Sequence, residues 1–191
     1  MNLILHKIQT TYSFSDRETG VLKYGIEIIL GELSKCLIML IYFYAMHKTP
    51  EYLAALILLL LLRSNMGGLH MKHYWSCFLL TFIFMNAAII ILPSLVTLSK
   101  PEICLILLLC IVIGLQIGPV HVKFIRNPNS LLIRKGRMQA LYILILYLSA
   151  VLILPVSKYV VIGFWIIVLQ TIQLIIAKGK EMLTYEKQIK K

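Results

Sequence analysis

Between Phe78 and Ala177 the chain runs through four stretches without a charged side chain: Phe78–Leu98, Ile103–Pro119, Ala140–Ser157 and Tyr159–Ala177. Each is close to the ~20 apolar residues a helix needs to cross a bilayer core. In hydrocarbon a chain must satisfy its own backbone polar groups, which leaves helices and closed barrels. Runs of this length and uniformity have no two-residue alternation, so the class expected is all-α: a polytopic transmembrane helical bundle. Composition agrees, with 60% hydrophobic and 14% charged residues and a mean hydropathy of +0.87. Soluble domains carry nearer a quarter charged residues.

Pro93 and Pro155 are expected to kink or end their helices, because proline lacks an N–H and crowds the preceding turn. Ser157-Lys158 makes the last two segments a tight hairpin. Two earlier segments bring the expected number to about six. Cys36–Met46 and Tyr52–Leu62 are short or irregular by hydropathy, and "HKTPE" joins them. Either the first extends back through Gly25–Lys35, carrying Glu27, Glu32 and Lys35 to membrane depth, or the pair dips in and returns. Lys23, Glu27, Gly31 and Lys35 recur every four residues, one polar stripe along a helix. Such a stripe faces protein, headgroups or a wet cavity rather than lipid tails. The second segment can be completed by residues from the 63–77 stretch.

The net charge is +11. In a chain this apolar, that excess reads first as topology and anionic lipid. It does not read as nucleic-acid binding, because no polar domain interleaves basic and aromatic residues. With six crossings and both termini cytoplasmic, 16 of the 19 Lys and Arg fall inside; only Lys48, Lys100 and Lys158 fall outside. The positive-inside rule favours that arrangement. It makes residues 1–24 a cytoplasmic or interfacial segment, residues 120–138 a basic cytoplasmic loop and residues 178–191 a basic tail, all within one domain of 191 residues. The first twenty residues lack the apolar core and small-residue cleavage site of a secretory signal, so insertion is expected through the internal helices.

Between two apolar segments lies "RSNMGGLHMKHYWSC", Arg63–Cys77. A connecting turn needs none of this chemistry. Under the topology above it faces the cytosol, where a thiol stays reduced. A thiolate is the useful nucleophile, and a neighbouring imidazole or cation favours it. His73 lies one helical turn before Cys77 and on a continuous helix would touch it. His70 lies two turns away, about 10 Å of rise, beyond the ~3 Å contact of a working dyad. If His70 is the base, the chain must bend or unwind between Gly67 and Cys77. Gly67-Gly68 supplies the place, since glycine tolerates backbone angles closed to other residues. Spacing leaves three readings open: a Cys–His dyad, a metal site His70-x-x-His73-x-x-x-Cys77 lacking a fourth ligand, and a positively charged loop with incidental histidines. The other cysteines, Cys36, Cys104 and Cys110, sit in or beside apolar segments and read as small buried hydrophobes.

"GGLH" with Cys77 seven residues after the histidine resembles the accessory gene regulator B (AgrB) family, membrane cysteine endopeptidases of Gram-positive quorum sensing. The resemblance covers the chain: its length, basic N-terminus, glycine-pair loop after the early helices, basic central loop and basic tail. It implies a cell-membrane peptidase that cuts a pheromone propeptide at the C-terminal side of the signal through a thioester. The freed signal then closes as a thiolactone or lactone. It implies His70 and Cys77 as the catalytic pair, no cofactor, no metal, a propeptide and membrane lipid as partners, and a homodimer. His73 has no counterpart in the family pattern and is accessory. Gly67, Gly68, Arg63 and Lys72 are candidates for oxyanion or loop support. Asn65, Glu27, Glu32 and Gln116 are candidates for a third, orienting group. Lys123, Arg126, Arg134, Lys135 and Arg137 either mark the cytoplasmic side or dock an acidic propeptide tail. The competing function is a small transporter or metal- and proton-handling protein using His70 and His73; a subunit without chemistry is a further one.

Overall fold

The computed structural model describes residues 16–69, 73–119 and 130–189. These form six helices, and no strand occurs among the described residues. Helix α1 spans Asp16–Ala45, α2 Thr49–Met66, α3 Tyr74–Leu95, α4 Lys100–Ile117, α5 Ser130–Ile153 and α6 Lys158–Ile189. Four of them, α3, α4, Ile133–Ile153 of α5 and Lys158–Met182 of α6, are long and apolar enough to cross a membrane. The chain divides into two units, residues 1–47 and 48–191.

In the first unit, α1 runs for 30 residues, about 45 Å at 1.5 Å per residue. Of the two alternatives for the first apolar segment, the helix takes the one that extends back through Gly25–Lys35. The cost of placing charge on such a helix is offset locally. Lys35 Nζ donates to Glu32 Oε1 one turn away at 2.7 Å. The Ser34 hydroxyl donates to the Gly31 carbonyl. The helix closes through His47, at φ 54°.

In the second unit, Pro50 lies in the first turn of α2, where its missing N–H is no loss. This helix has 18 residues, about 27 Å, so Arg63–Met66 do complete the short apolar segment. It stops at Gly67, whose φ of 75° suits glycine and whose N–H still reaches the Arg63 carbonyl at 2.9 Å. In α3, Ala87–Ile91 form one π-helical turn ahead of Pro93. A proline at 93 cannot donate to the carbonyl at 89 and crowds it; the widened turn absorbs that mismatch, and the helix ends at Leu95. At the start of α4, the Ser99 N–H and hydroxyl both bond the Glu102 carboxylate, at 2.7 and 2.6 Å, in a capping box. Helix α5 stops at Ile153, just before Pro155, and α6 begins at Lys158, giving the tight hairpin expected from Ser157-Lys158.

Helix α6 is the hub. It packs on α2, α4 and the π-turn of α3, while α5 packs on α2 and α4. More than half of its apolar span, 56%, is buried, against 28% or less for the other three. Phe164, Ile166, Ile167, Gln170 and Leu174 lie inside. Glycine sets one approach: a Cβ on Gly163 would lie 2.6 Å from the Tyr147 hydroxyl, which instead donates to the Val160 carbonyl. Outward-facing Leu and Ile side chains such as Leu79, Ile83, Leu105, Leu108 and Ile145 are exposed. Such surface is costly in water and suits lipid.

Candidate active site

Cys77 sits in the first turn of α3, 5% exposed, with its N–H on the His73 carbonyl at 3.1 Å. One turn further, the buried Thr81 hydroxyl donates to the Cys77 carbonyl at 2.9 Å. The thiol therefore lies near the positive end of the α3 dipole, which favours negative charge. His73 does not extend the helix: its backbone is extended, at φ −105° and ψ 139°, and its side chain is exposed without capping α3. The continuous-helix geometry that would stack His73 on Cys77 is absent. His70 and Lys72, with Met71, lie outside the described residues.

The Gly67–Leu69 segment is held from two sides. From α6, Gln170 Nε2 donates to the Gly67 carbonyl at 2.8 Å, and Gln170 is 2% exposed. From α2, Arg63 folds forward so that Nη2 donates to the Leu69 carbonyl at 3.2 Å. The guanidinium lies over Gly68, where a Cβ would meet Arg63 Nε at 2.9 Å. Both glycines thus answer to geometry: Gly67 to a left-handed backbone angle, Gly68 to a side chain pressed against it. Two buried polar atoms beside this loop, Gln170 Oε1 and Arg63 Nε, have no hydrogen-bond partner among the described residues. Arg63 and Gly68, both candidates for loop support from the sequence, meet here.

Helix α5 closes on the same end of the bundle. Gly136 lets it approach α2 so tightly that a Cβ would lie 2.8 Å from the Asn65 carbonyl oxygen. Met66, Ala140 and Leu174 form a buried cluster there, with Ile117 against it. Arg137 lies over Gly118, which has φ +68° and ends α4. Arg134, Lys135 and Arg137 are exposed and make no ion pair among the described residues. Lys123 and Arg126 lie outside the described residues.

The candidates for an orienting group separate. Asn65 Nδ2 is spent on the Leu61 carbonyl at 2.7 Å. Glu32 pairs with Lys35. Gln116 is exposed on α4, and the Glu27 side chain is outside the described set. Among the described residues no three His, Cys, Asp or Glu converge on a metal position. None of the four cysteines forms a disulfide; Cys110 is buried, and Cys36 and Cys104 are half-buried. Gln170 is the residue that sequence reasoning missed. Its signal was there: with Thr171 and Gln173 it is one of few polar groups in an apolar span, and such groups face protein or a cavity.

Comparison with known proteins bears on what this loop is. The family model described as Accessory gene regulator B matches residues 1–174. A protein of Clostridium beijerinckii described as AgrB-like is 25% identical over 185 residues, covering 95% of this chain and 89% of its own length. No solved structure matches. With the match running through the glycine-pair loop, Cys77 and five of the six helices, the chain is a membrane protein of the accessory gene regulator system and belongs to the accessory gene regulator B family.

Proposed function

We propose that the chain is a membrane cysteine endopeptidase that cleaves a pheromone propeptide at the C-terminal side of the signal, with Cys77 as nucleophile and His70 as base. The observation that carries this reading is the end of α2 at Met66: residues 67–69 leave the helix and are pinned by Gln170 and Arg63, and α3 starts at Tyr74 with a buried Cys77 in its first turn. A connecting turn would not need two glycines under constraint or a buried glutamine to hold one carbonyl. The His73 backbone supports the choice of base by elimination, since it is extended and its side chain exposed.

The chemistry runs in two halves. His70 takes the Cys77 thiol proton, and the sulfur attacks the scissile carbonyl carbon. Oxyanion charge is stabilised by first-turn amides of α3 and the positive end of its dipole, with Lys72 as a cation nearby in sequence. The C–N bond breaks, His70 returns the proton to the departing amine, and a thioester remains on Cys77. A thiol or hydroxyl within the acyl peptide then attacks that thioester. This closes a thiolactone or lactone and releases Cys77 as the thiol. Keeping water away favours ring closure over hydrolysis.

Residues 63–77 and 120–138 face the cytosol in this reading, and Lys123, Arg126, Arg134, Lys135 and Arg137 receive an acidic propeptide tail. Orientation is tested by placing a single cysteine at position 129 in intact cells; slow labelling by an impermeant reagent is expected, and rapid labelling reverses the orientation. The activity is tested with purified enzyme in lipid and the cognate propeptide. Wild type should give cleavage and a peptide thioester on Cys77 by mass spectrometry. Cys77→Ala should give neither; if it still cleaves, the cysteine-peptidase reading is wrong.

A further inference from the structure

At the opposite end of the bundle from Gly67 a cleft of about 320 Å³ opens between the start of α2, the π-turn and end of α3, and the start of α6. Its polar wall is Lys48, Glu51 and Lys158, with Ser94 at the edge; its apolar wall includes Ile89, Pro93 and Ile162. The charges are arranged, not scattered. Glu51 is 7% exposed, and its Oε1 accepts from Lys158 Nζ at 2.7 Å, so a buried carboxylate fixes the direction of a lysine that is otherwise 62% exposed. That lysine also lies 5.1 Å from the centroid of the Tyr159 ring. The second carboxylate oxygen, Glu51 Oε2, is buried without a hydrogen-bond partner among the described residues.

Each of these features asks something of a ligand. Two ammonium groups beside the first turns of α2 and α6 ask for an anion rich in acceptors. An orphaned carboxylate oxygen asks for a donor, since an unpaired buried acceptor costs free energy. The isoleucine and proline wall asks for hydrocarbon. Lys48 and Lys158 against Glu51 leave a net charge of one positive unit, which selects a ligand carrying one negative charge.

We propose that this cleft is a binding site for an anionic phospholipid whose phosphodiester is followed by a hydroxylated headgroup, phosphatidylglycerol in type. The phosphate oxygens accept from Lys48 and Lys158. A headgroup hydroxyl donates to Glu51 Oε2, and an acyl chain leaves along Ile89, Pro93 and Ile162. Phosphatidylcholine offers the phosphate without a donor or net charge. Phosphatidylethanolamine offers a donor with no net charge. Phosphatidic acid offers charge with no headgroup hydroxyl. The proposal does not depend on the peptidase reading.

The experiment uses the full-length protein in nanodiscs with a photoactivatable phosphatidylglycerol, and the cross-linked peptides are mapped by mass spectrometry. Labelling should concentrate on residues 89–94 and 158–162. Unlabelled phosphatidylglycerol should suppress it at least tenfold better than phosphatidylcholine or phosphatidylethanolamine. Lys48→Gln with Lys158→Gln should lower that labelling at least tenfold, while Arg134→Gln with Lys135→Gln leaves it unchanged. Glu51→Gln should narrow the preference for phosphatidylglycerol over phosphatidic acid. The site is refuted if wild-type labelling spreads evenly over the lipid-facing helices, or if phosphatidylcholine competes equally. It is also refuted if the double lysine variant, with unchanged helical circular dichroism, labels like wild type. The competition measured on wild type decides the question even if that variant does not fold.

Discussion

At one end of the α2–α6 bundle, Lys158 is held by Glu51, and Lys100 is held by the carbonyls of Leu152 and Leu154 at 2.7 and 3.2 Å. The chain there passes from α5 to α6 through residues 154–157 alone. At the other end Arg134, Lys135 and Arg137 stand exposed, and Arg63 and Arg137 press on glycines. Lysine at the first end completes structure: it caps the C-terminus of α5 or binds a carboxylate, favourable uses of a cation. At the second end Arg134, Lys135 and Arg137 make no ion pair among the described residues, and the backbone turns at Gly67. Proteins keep unusual backbone geometry mainly at working sites. The contrast supports the proposal of chemistry at the Gly67 end and anchoring at the Lys158 end.

The strongest way to break this contrast is at the nucleophile and base. His70→Ala should lower kcat/KM almost as far as Cys77→Ala, by roughly a thousandfold or more, because members of one catalytic unit fail together. His73→Ala should stay within about tenfold of wild type, since no transition-state contact is removed. The measurement is propeptide cleavage by purified variants in lipid. A dead His73→Ala beside an active His70→Ala would move the base to His73 and void the elimination drawn from its backbone.

Next in size is Gln170. Gln170→Leu leaves the Gly67 carbonyl unpaired, a cost of about 1–3 kcal/mol, and frees the segment that begins at Gly67. The expected result is a roughly tenfold fall in kcat with KM little changed, because the propeptide still docks while the base is mispositioned. Gln170→His, which retains a ring N–H donor, should recover part of the loss. Equal kcat in Gln170→Leu and wild type would mean that α6 does not hold the loop.

These two predictions rest on different depths of legibility. The four long spans could be read directly, because a stretch without charge has few other fates. The break after Met66 was legible in part: the glycine pair marks the place where the chain can bend if His70 is the base, and the helix does end there, with Gly67 at φ 75°. Pro93 located an irregularity but not its form; whether a helix kinks, ends or widens into a π-turn depends on what packs against it, here α6 and α2. The backward extension of α1 was undecided, since Glu27, Glu32 and Lys35 argue against membrane depth on hydropathy. It is the Lys35–Glu32 pair on the helix itself that lessens their cost. Gln170 stood out as a polar group in an apolar span, but what it holds was out of reach for a simpler reason. Its partner Gly67 lies 103 residues away, and no local pattern reports a contact of that separation.

A third test sharpens the contrast through charge. Neutralising pairs among Lys123, Arg126, Arg134, Lys135 and Arg137 should raise KM for an acidic-tailed propeptide about three- to tenfold while kcat changes less, the signature of lost ground-state binding. Added salt should mimic the effect on wild type and have less effect on the variants, because exposed charges are screened beyond a Debye length of about 8 Å at physiological ionic strength. An unchanged KM in correctly inserted variants would leave this basic segment as a topology signal alone.

The smallest effect is expected from Lys100→Ala, and its smallness is the point. Lys100 is a cation like those of α5, but its ammonium is committed to the last carbonyls of α5 at the other end of the bundle. Removing it costs the cation–dipole contribution, about 0.3–1 kcal/mol for an exposed group. For a chain of this size that corresponds to a melting temperature lower by about 1–4 °C. Neither kcat nor KM should change by more than about twofold, since nothing in the Gly67 turn or on the exposed face of α5 depends on this contact. The two measurements, thermal unfolding in detergent and propeptide cleavage, therefore move in opposite proportion to those for the α5 cations, where KM shifts and stability holds. If Lys100→Ala raised KM as far as the α5 pairs do, the propeptide would be sensing the net charge of the whole protein rather than one basic face. The division between an anchoring end and a working end would then fail as an account of substrate docking.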